Sequence, residues 1–329
     1  MNPEKAEVFM TTVLKSIEIT DIAGFSIGQC EDEKKATGVT VILTGEKGAV
    51  CGADVRGGGP ASRENALLNP LAANDAVHAV VLSGGSAFGL ESSCGVMRWL
   101  KEKGIGFATA YGPVPIVVSS CIFDLGIGDP DAYPDAAMGY QACKNAGNFR
   151  QGNYGAGMGA TVGKAHGMEH AMKAGIGAAA YQLGSLQVGA IAVVNAFGDI
   201  YDPDTGRKLA GLRDESGTME PACEEALYQM APQPSNTNTT IAAILTNGIF
   251  DKTELTKIAG MGHDGYARSI NPVHTMFDGD TLYALSHPQV KADINVAGTL
   301  AARTVAKAID AAVLHATSVF GLPCANDMK

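Results

Sequence analysis

Asn238-Thr-Thr-Ile-Ala-Ala-Ile-Leu-Thr246 starts abruptly after a polar, proline-bearing stretch, Ala231-Pro-Gln-Pro-Ser-Asn-Thr-Asn238. An apolar, β-branched run bounded by turn residues reads as a strand of buried character. The polar chain before it, from about Arg213 to Ser235, reads as an exposed linker. Downstream, Asp251 followed three residues later by Glu254 makes a capping box, which predicts a helix through about Arg268. A strand at Thr281-Leu-Tyr-Ala-Leu285 follows. Then comes a long helix on which Ile294, Leu300, Ala301, Val305, Ile309 and Val313 share one side.

Working upstream, Leu186 to Ala196 is another apolar, β-branched strand, and Gly198-Asp-Ile-Tyr-Asp-Pro-Asp-Thr-Gly206 after it is a turn sequence. The five glycines from Gly152 to Gly163 are too many for an α-helix. Ala79-Val-Val-Leu82 reads as a strand, Ser83-Gly-Gly-Ser86 as a turn, and the pattern to about Lys103 as a helix with Leu90, Val96, Met97 and Leu100 on its core face. Gly38 to Leu43 and Ala49 to Val55, separated by Gly45-Glu-Lys-Gly48, read as a hairpin, and Arg56-Gly-Gly-Gly-Pro60 as a shaped loop. Strands and helices mix throughout with no internal repeat, which predicts an α/β or α+β fold, with residues 1–329 forming one domain.

Composition narrows the function classes. With 34 acidic against 24 basic side chains the net charge is −10, and no Lys/Arg stripe exists to replace the counterions of a nucleic acid. No apolar run reaches the roughly 20 residues that a bilayer requires. The opening decapeptide carries Glu4, Lys5 and Glu7 and does not resemble a secretory signal. Seven scattered cysteines (Cys30, Cys51, Cys94, Cys121, Cys143, Cys223, Cys324) without a Cys-x-x-Cys suit reduced thiols, a cytoplasmic setting and no metal or cofactor. Glycine, at 41 residues, is well above the ~7% of average usage although the chain is rich in apolar residues. Those glycines belong at tight turns and close backbone approaches inside a packed structure.

Three segments can carry chemistry. Ser83-Gly-Gly-Ser-Ala-Phe-Gly89 can cradle an anion or present Ser86 as a nucleophile, but Phe88 stands where a Gly-x-Ser-x-Gly elbow needs glycine, and a packing turn accounts for it better. In His274-Thr-Met-Phe-Asp-Gly-Asp280, two carboxylates flank a glycine, a pattern that can hold a cation, raise one pKa, accept from an amine, or simply turn. The third is Asn238-Thr239-Thr240. A threonine hydroxyl needs a base beside it, and at a chain N-terminus its own α-amine, with an ordinary pKa of about 7.7 to 8.0, can serve. Thr239 is internal, so that chemistry first requires cleavage of Asn238–Thr239.

Together with Asp21-Ile-Ala-Gly-Phe-Ser-Ile-Gly28, Asp54-Val-Arg-Gly-Gly-Gly59, Ile122-Phe-Asp124, Gly155-Ala-Gly-Met158, Gly163-Lys164, Val193-Val-Asn195 and Pro272 to Thr281, these segments resemble the DmpA-type P1 peptidases, peptidase family S58. That family includes L-aminopeptidase/D-esterases, β-peptidyl aminopeptidases and nylon-oligomer endohydrolases. The resemblance implies a four-layer αββα sandwich, like the Ntn hydrolases but with DmpA/ornithine-acetyltransferase connectivity. It implies self-cleavage at Asn238–Thr239 into fragments 1–238 and 239–329, and a homotetramer of cleaved protomers. By position it implies Thr239 as nucleophile, Asn195 at the oxyanion side, Lys164 near the nucleophile, and Asp278 and Asp280 around the threonine's amine and hydroxyl. Gly84, Gly85 and Ser86 would belong to the substrate cleft with Cys121 and Phe123. These last two stand where the aminopeptidase branch has a glutamate for a free amine and a tyrosine for the oxyanion. The expectation is therefore an amide hydrolase nearer the nylon-hydrolase branch, acting on short peptides or ω-amino-acid oligomers through a threonine ester, with oxyanion donors drawn from Asn195 or glycine-loop N–H groups. An aminopeptidase of the same family, an ornithine-acetyltransferase-like acyl transferase and a non-enzymatic scaffold are the alternatives.

Overall fold

Residues 13–229 and 238–328 are described by the computed structural model. The charged opening decapeptide and the end of the expected linker lie outside the described residues.

Twelve strands build two sheets. They are β1 (Leu14–Ile17), β2 (Ser26–Asp32), β3 (Thr37–Leu43), β4 (Ala49–Val55), β5 (Ala61–Arg63), β6 (Ala76–Val77), β7 (Ala79–Ser83), β8 (Val117–Cys121), β9 (Ile176–Leu183), β10 (Leu186–Asn195), β11 (Thr239–Gly248) and β12 (Thr281–Val290). The larger sheet runs β1-β9-β10-β11-β12-β4-β6 and the smaller β2-β3-β7-β8-β5. The helices are α1 (Ser92–Glu102), α2 (Ala136–Lys144), α3 (Cys223–Gln229), α4 (Lys252–Ser269) and α5 (Ile294–Leu314).

The central strands are apolar over their middle residues because each has two buried faces there, and alternation sorts the side chains between two cores. In β11, Ala242 and Ile244 pack with α4 and α5, whereas Ile241, Ala243 and Leu245 turn inward to the smaller sheet. In β12 the split is Leu282 and Ala284 against Tyr283 and Leu285. On the smaller sheet, Val80 and Leu82 of β7 face the larger one, while Ala79 and Val81 pack with Val96 and Leu100 of α1. The layers are therefore α4/α5, seven strands, five strands, and α1/α2. This is the αββα sandwich that the family resemblance implies.

The strands at 38–43 and 49–55 exist, but they are not a hairpin. β3 pairs with β2 and β7 in one sheet, and β4 pairs with β12 and β6 in the other. The Gly45–Gly48 turn carries the chain between layers, which an alternation pattern cannot distinguish from a return within one sheet. Helix α1 begins at Ser92 after a 3-10 segment, Ser86–Glu91, and not at Ser86. The 198–206 turn contains a short strand, Asp199–Tyr201, and α3 lies within the stretch read as linker. The capping box is present: Asp251 accepts from Glu254 N at 2.8 Å and Glu254 accepts from Asp251 N at 2.9 Å. No helix among the described residues is long and apolar enough to cross a membrane.

Candidate active site

The site forms at the N-terminal end of β11, where four chain segments meet. Thr239 lies directly opposite Asn195, the last residue of β10, in the antiparallel ladder. On the other side β11 runs parallel to β12, and Asn238 bridges to Asp278 just before that ladder starts. Asn195, Asn238, Thr239, Asp278 and Asp280 are all buried.

The peptide bond before Thr239 is held by its oxygen. Gly279 N–H donates to the Asn238 carbonyl oxygen at 2.9 Å. The Thr239 hydroxyl donates to the same oxygen. A carbonyl that accepts from a fixed backbone N–H is polarised toward attack, and that donor is already in place for an oxyanion. Gly279 must be glycine here, because a Cβ would fall 2.7 Å from Thr239 Oγ1 and 2.9 Å from the Gly59 carbonyl oxygen.

Asn195 is an anchored hub. Its Oδ1 accepts from Thr161 N–H at 3.1 Å, Thr161 Oγ1 at 3.2 Å and Lys164 Nζ at 2.8 Å. Its Nδ2 donates to the Phe123 carbonyl at 2.9 Å. Lys164 Nζ also donates to the Asn195 carbonyl at 3.1 Å. Removal from water lowers the Lys164 pKa to about 7, against the opposing pull of the Asp278 and Asp124 carboxylates. A lysine that titrates there is available as an amine near neutrality, which an exposed lysine is not.

The two aspartates are held differently. Asp280 Oδ1 accepts from Thr240 N–H at 2.7 Å, and its Oδ2 accepts from His274 N–H at 3.2 Å and lies 2.8 Å from His274 Nδ1. Asp278 Oδ2 accepts from Thr275 N–H at 2.9 Å and Thr275 Oγ1 at 2.6 Å. Burial first, and the nearby Asp280 charge second, push the Asp278 pKa up. The glycine loop after β4 clasps this segment by its backbone: Arg56 N donates to Asp280 O at 3.0 Å and Gly59 N to Asp278 O at 2.9 Å. A Cβ on Gly57 would come within 2.2 Å of Asp280 N, so only glycine allows that approach.

Of the remaining residues named from the sequence, Phe123 is tied to this centre through the carbonyl that accepts from Asn195, whereas Cys121, Gly84, Gly85 and Ser86 do not line the cavities beside it. Phe123 is half-buried and, with Asp124, Ile127, Thr161, Lys164 and Met168, lines a cavity of about 130 Å³. A wider cavity of about 660 Å³ shares Gly126, Ile127 and Met168 with it and adds Lys34, Asp129 and Glu169. Cys121 is buried in β8, and burial pushes its thiol far up. Gly84 N donates to Gly38 O at 2.9 Å and Gly85 N to Asp124 Oδ1 at 2.6 Å. Those two N–H groups are therefore spent inside the fold. Ser86 N donates to Ile122 O at 2.9 Å.

Two participants, Thr161 and His274, are not singled out by the sequence, whereas the Gly279 N–H is a glycine-loop donor of the kind expected from it. Thr161 stands three residues before Lys164, the spacing that lets both reach Asn195, but nothing in the glycine-rich stretch marks it.

Residues 18–324 match the model of peptidase family S58. An uncharacterized aminopeptidase of Mycobacterium tuberculosis is 38% identical, over 94% of this chain and 97% of its own length. The 6-aminohexanoate-oligomer endohydrolase of Kocuria sp. is 33% identical over 82% of this chain and 75% of its own. Among solved structures, the L-aminopeptidase D-Ala-esterase/amidase of Ochrobactrum anthropi, described as a variant of the Ntn hydrolase fold, superposes with a TM-score of 0.67 at 17% identity, covering 91% of this chain and 86% of that one. A Burkholderia sp. beta-aminopeptidase gives a TM-score of 0.65 at 19% identity, covering 92% and 88%.

Proposed function

The chain belongs to peptidase family S58, and from that premise we propose that Thr239 is its nucleophile, freed as a new N-terminus when the protein cleaves its own Asn238–Thr239 bond. The observation that carries this reading is the Asn238 carbonyl, held by the Gly279 N–H at 2.9 Å with the Thr239 hydroxyl against the same oxygen. In the first step Thr239 Oγ bonds to the carbonyl carbon and its proton passes to the Lys164 amine. Charge gathers on the oxygen that Gly279 N–H faces. The C–N bond then breaks, the nitrogen takes the proton, and an ester remains. Water hydrolyses that ester, leaving a carboxylate on Asn238 and a free α-amine on Thr239.

The same hydroxyl then attacks a substrate amide, with its α-amine as base, and the acyl group is released from Thr239 by water. Asn195 and Lys164 hold the far side of the nucleophile, and the cavity at Phe123, Thr161 and Lys164 receives the substrate. Its walls, Phe123, Ile127 and Met168, suit an apolar or unbranched chain, whereas Lys34, Asp129 and Glu169 farther out suit charged ends. Short peptides and ω-amino-acid oligomers fit both features. The reading also carries a homotetramer of cleaved protomers, checked by sedimentation.

The test is a panel of p-nitroanilides with free and blocked amines beside 6-aminohexanoate oligomers, assayed with the wild type and Thr239→Ala. Hydrolysis by the wild type alone is the expected result. Activity surviving in Thr239→Ala overturns the nucleophile assignment. Cleavage of free-amine substrates only would assign the aminopeptidase branch instead of the oligomer hydrolases.

A further inference from the structure

We propose that His274 is a positioning residue for the nucleophile, acting through Asp280; this rests on the assignment of Thr239 as nucleophile. Asp280 is 1% exposed and has a defined partner on each oxygen. Oδ1 accepts from Thr240 N–H at 2.7 Å, which fixes the backbone of the residue joined to Thr239. Oδ2 receives both donors of His274, the backbone N–H at 3.2 Å and Nδ1 at 2.8 Å. With Nδ1 as the donor, main chain and ring of His274 close on the same carboxylate oxygen. Together these bonds leave the carboxylate one orientation, and that orientation sets the start of β11.

The histidine is itself locked. Its backbone has φ +58°, a region that suits Asn, Asp and His better than other side chains. The Tyr266 ring stacks on it at 5.6 Å and the His263 ring meets its edge at 4.7 Å. The Tyr266 hydroxyl donates to the carbonyls of Thr240 and Thr281, each at 3.3 Å, so the ring that backs His274 is tied to the same two strands. A positive-φ residue that spends its main-chain and side-chain donors on one carboxylate oxygen is costly merely to close a turn. It is well suited to hold a carboxylate that must not rotate.

Three variants of the full chain separate the hydrogen bond from packing and backbone strain. His274→Asn places an amide N–H at the Nδ1 position and accepts the same φ. His274→Gln reaches only the Nε2 position. His274→Gly relieves the backbone but removes the donor. The measurements are the rate at which the fragment beginning at Thr239 appears, kcat and KM of the processed enzyme, and the melting temperature. His274→Asn is expected to stay near wild type. Gln and Gly should slow both processing and kcat by about tenfold or more with KM little changed, as misplaced reacting groups do. Wild-type rates in Gln or Gly, or equal losses in Asn and Gln, overturn the proposal. Thr239→Ala run alongside separates the failures. If it is still processed or active, the nucleophile reading falls; if it is dead while Asn and Gln behave alike, only the role of His274 falls.

Discussion

Lys164 sets the pH dependence expected of processing. Below about 7 it is an ammonium with no lone pair to take the Thr239 proton, and above about 7 the amine predominates. The rate at which the Thr239 fragment appears should therefore rise with pH through about 7 and then level off. Lys164→Arg keeps donors for Asn195 yet stays protonated, and should slow processing by about 10²-fold or more. Asp278 holds the Lys164 pKa up, so Asp278→Asn should move the rising limb to lower pH. A limb that stays in place, or an Arg variant that processes normally, would remove Lys164 from the role of base. Taken alone, the Asn-Thr-Thr and Asp-Gly-Asp segments are also ordinary turns, and they were legible as chemistry only together with the other motifs that carry the family resemblance. The role of the His274 ring was not, because the 2.8 Å contact from Nδ1 to Asp280 is closed by a loop that only the fold defines.

The parallel pairing of β11 with β12 brings Asn238 beside Asp278 across forty residues of chain, and the loop after β4 closes over Asp278 and Asp280. Gly57→Ala tests that clasp. Its Cβ would meet the backbone of Asp278 and Asp280 at 2.2 to 2.7 Å. Processing should fail while far-UV circular dichroism stays native, and normal processing would show that the clasp does not position the segment. At the start of α4, Asp251→Ala removes the capping box and should cost about 1 kcal/mol in denaturant unfolding without touching the site. The capping box, the long helix and the buried strands were readable from pattern alone. Sheet membership of β3 and β4 was not, because a strand apolar on both faces carries no sign of which neighbour it pairs with.

The two sheets are joined by more than apolar contact. Tyr283 on β12 is fully buried, and its hydroxyl lies 2.7 Å from Ser120 Oγ on β8 and donates to Asn65 Oδ1 at 2.9 Å. Tyr283→Phe strands those partners and should lower unfolding stability by about 1–3 kcal/mol; no change in denaturant midpoint would mean the contact adds nothing. The sandwich also decides whether the fragments part after cleavage. β11 and β12 lie between β10 and β4, so the C-terminal piece is built into the sheet on both sides. The two fragments should co-purify and separate only in denaturant. The most direct test of the central claim is the intact mass of purified wild type beside Thr239→Ala. The wild type should give two polypeptides, of 238 and 329 − 238 = 91 residues, the shorter beginning at Thr239, and the variant a single chain of 33.9 kDa. A wild type that remains one chain after prolonged incubation, or a variant that is cleaved at the same bond, would contradict it.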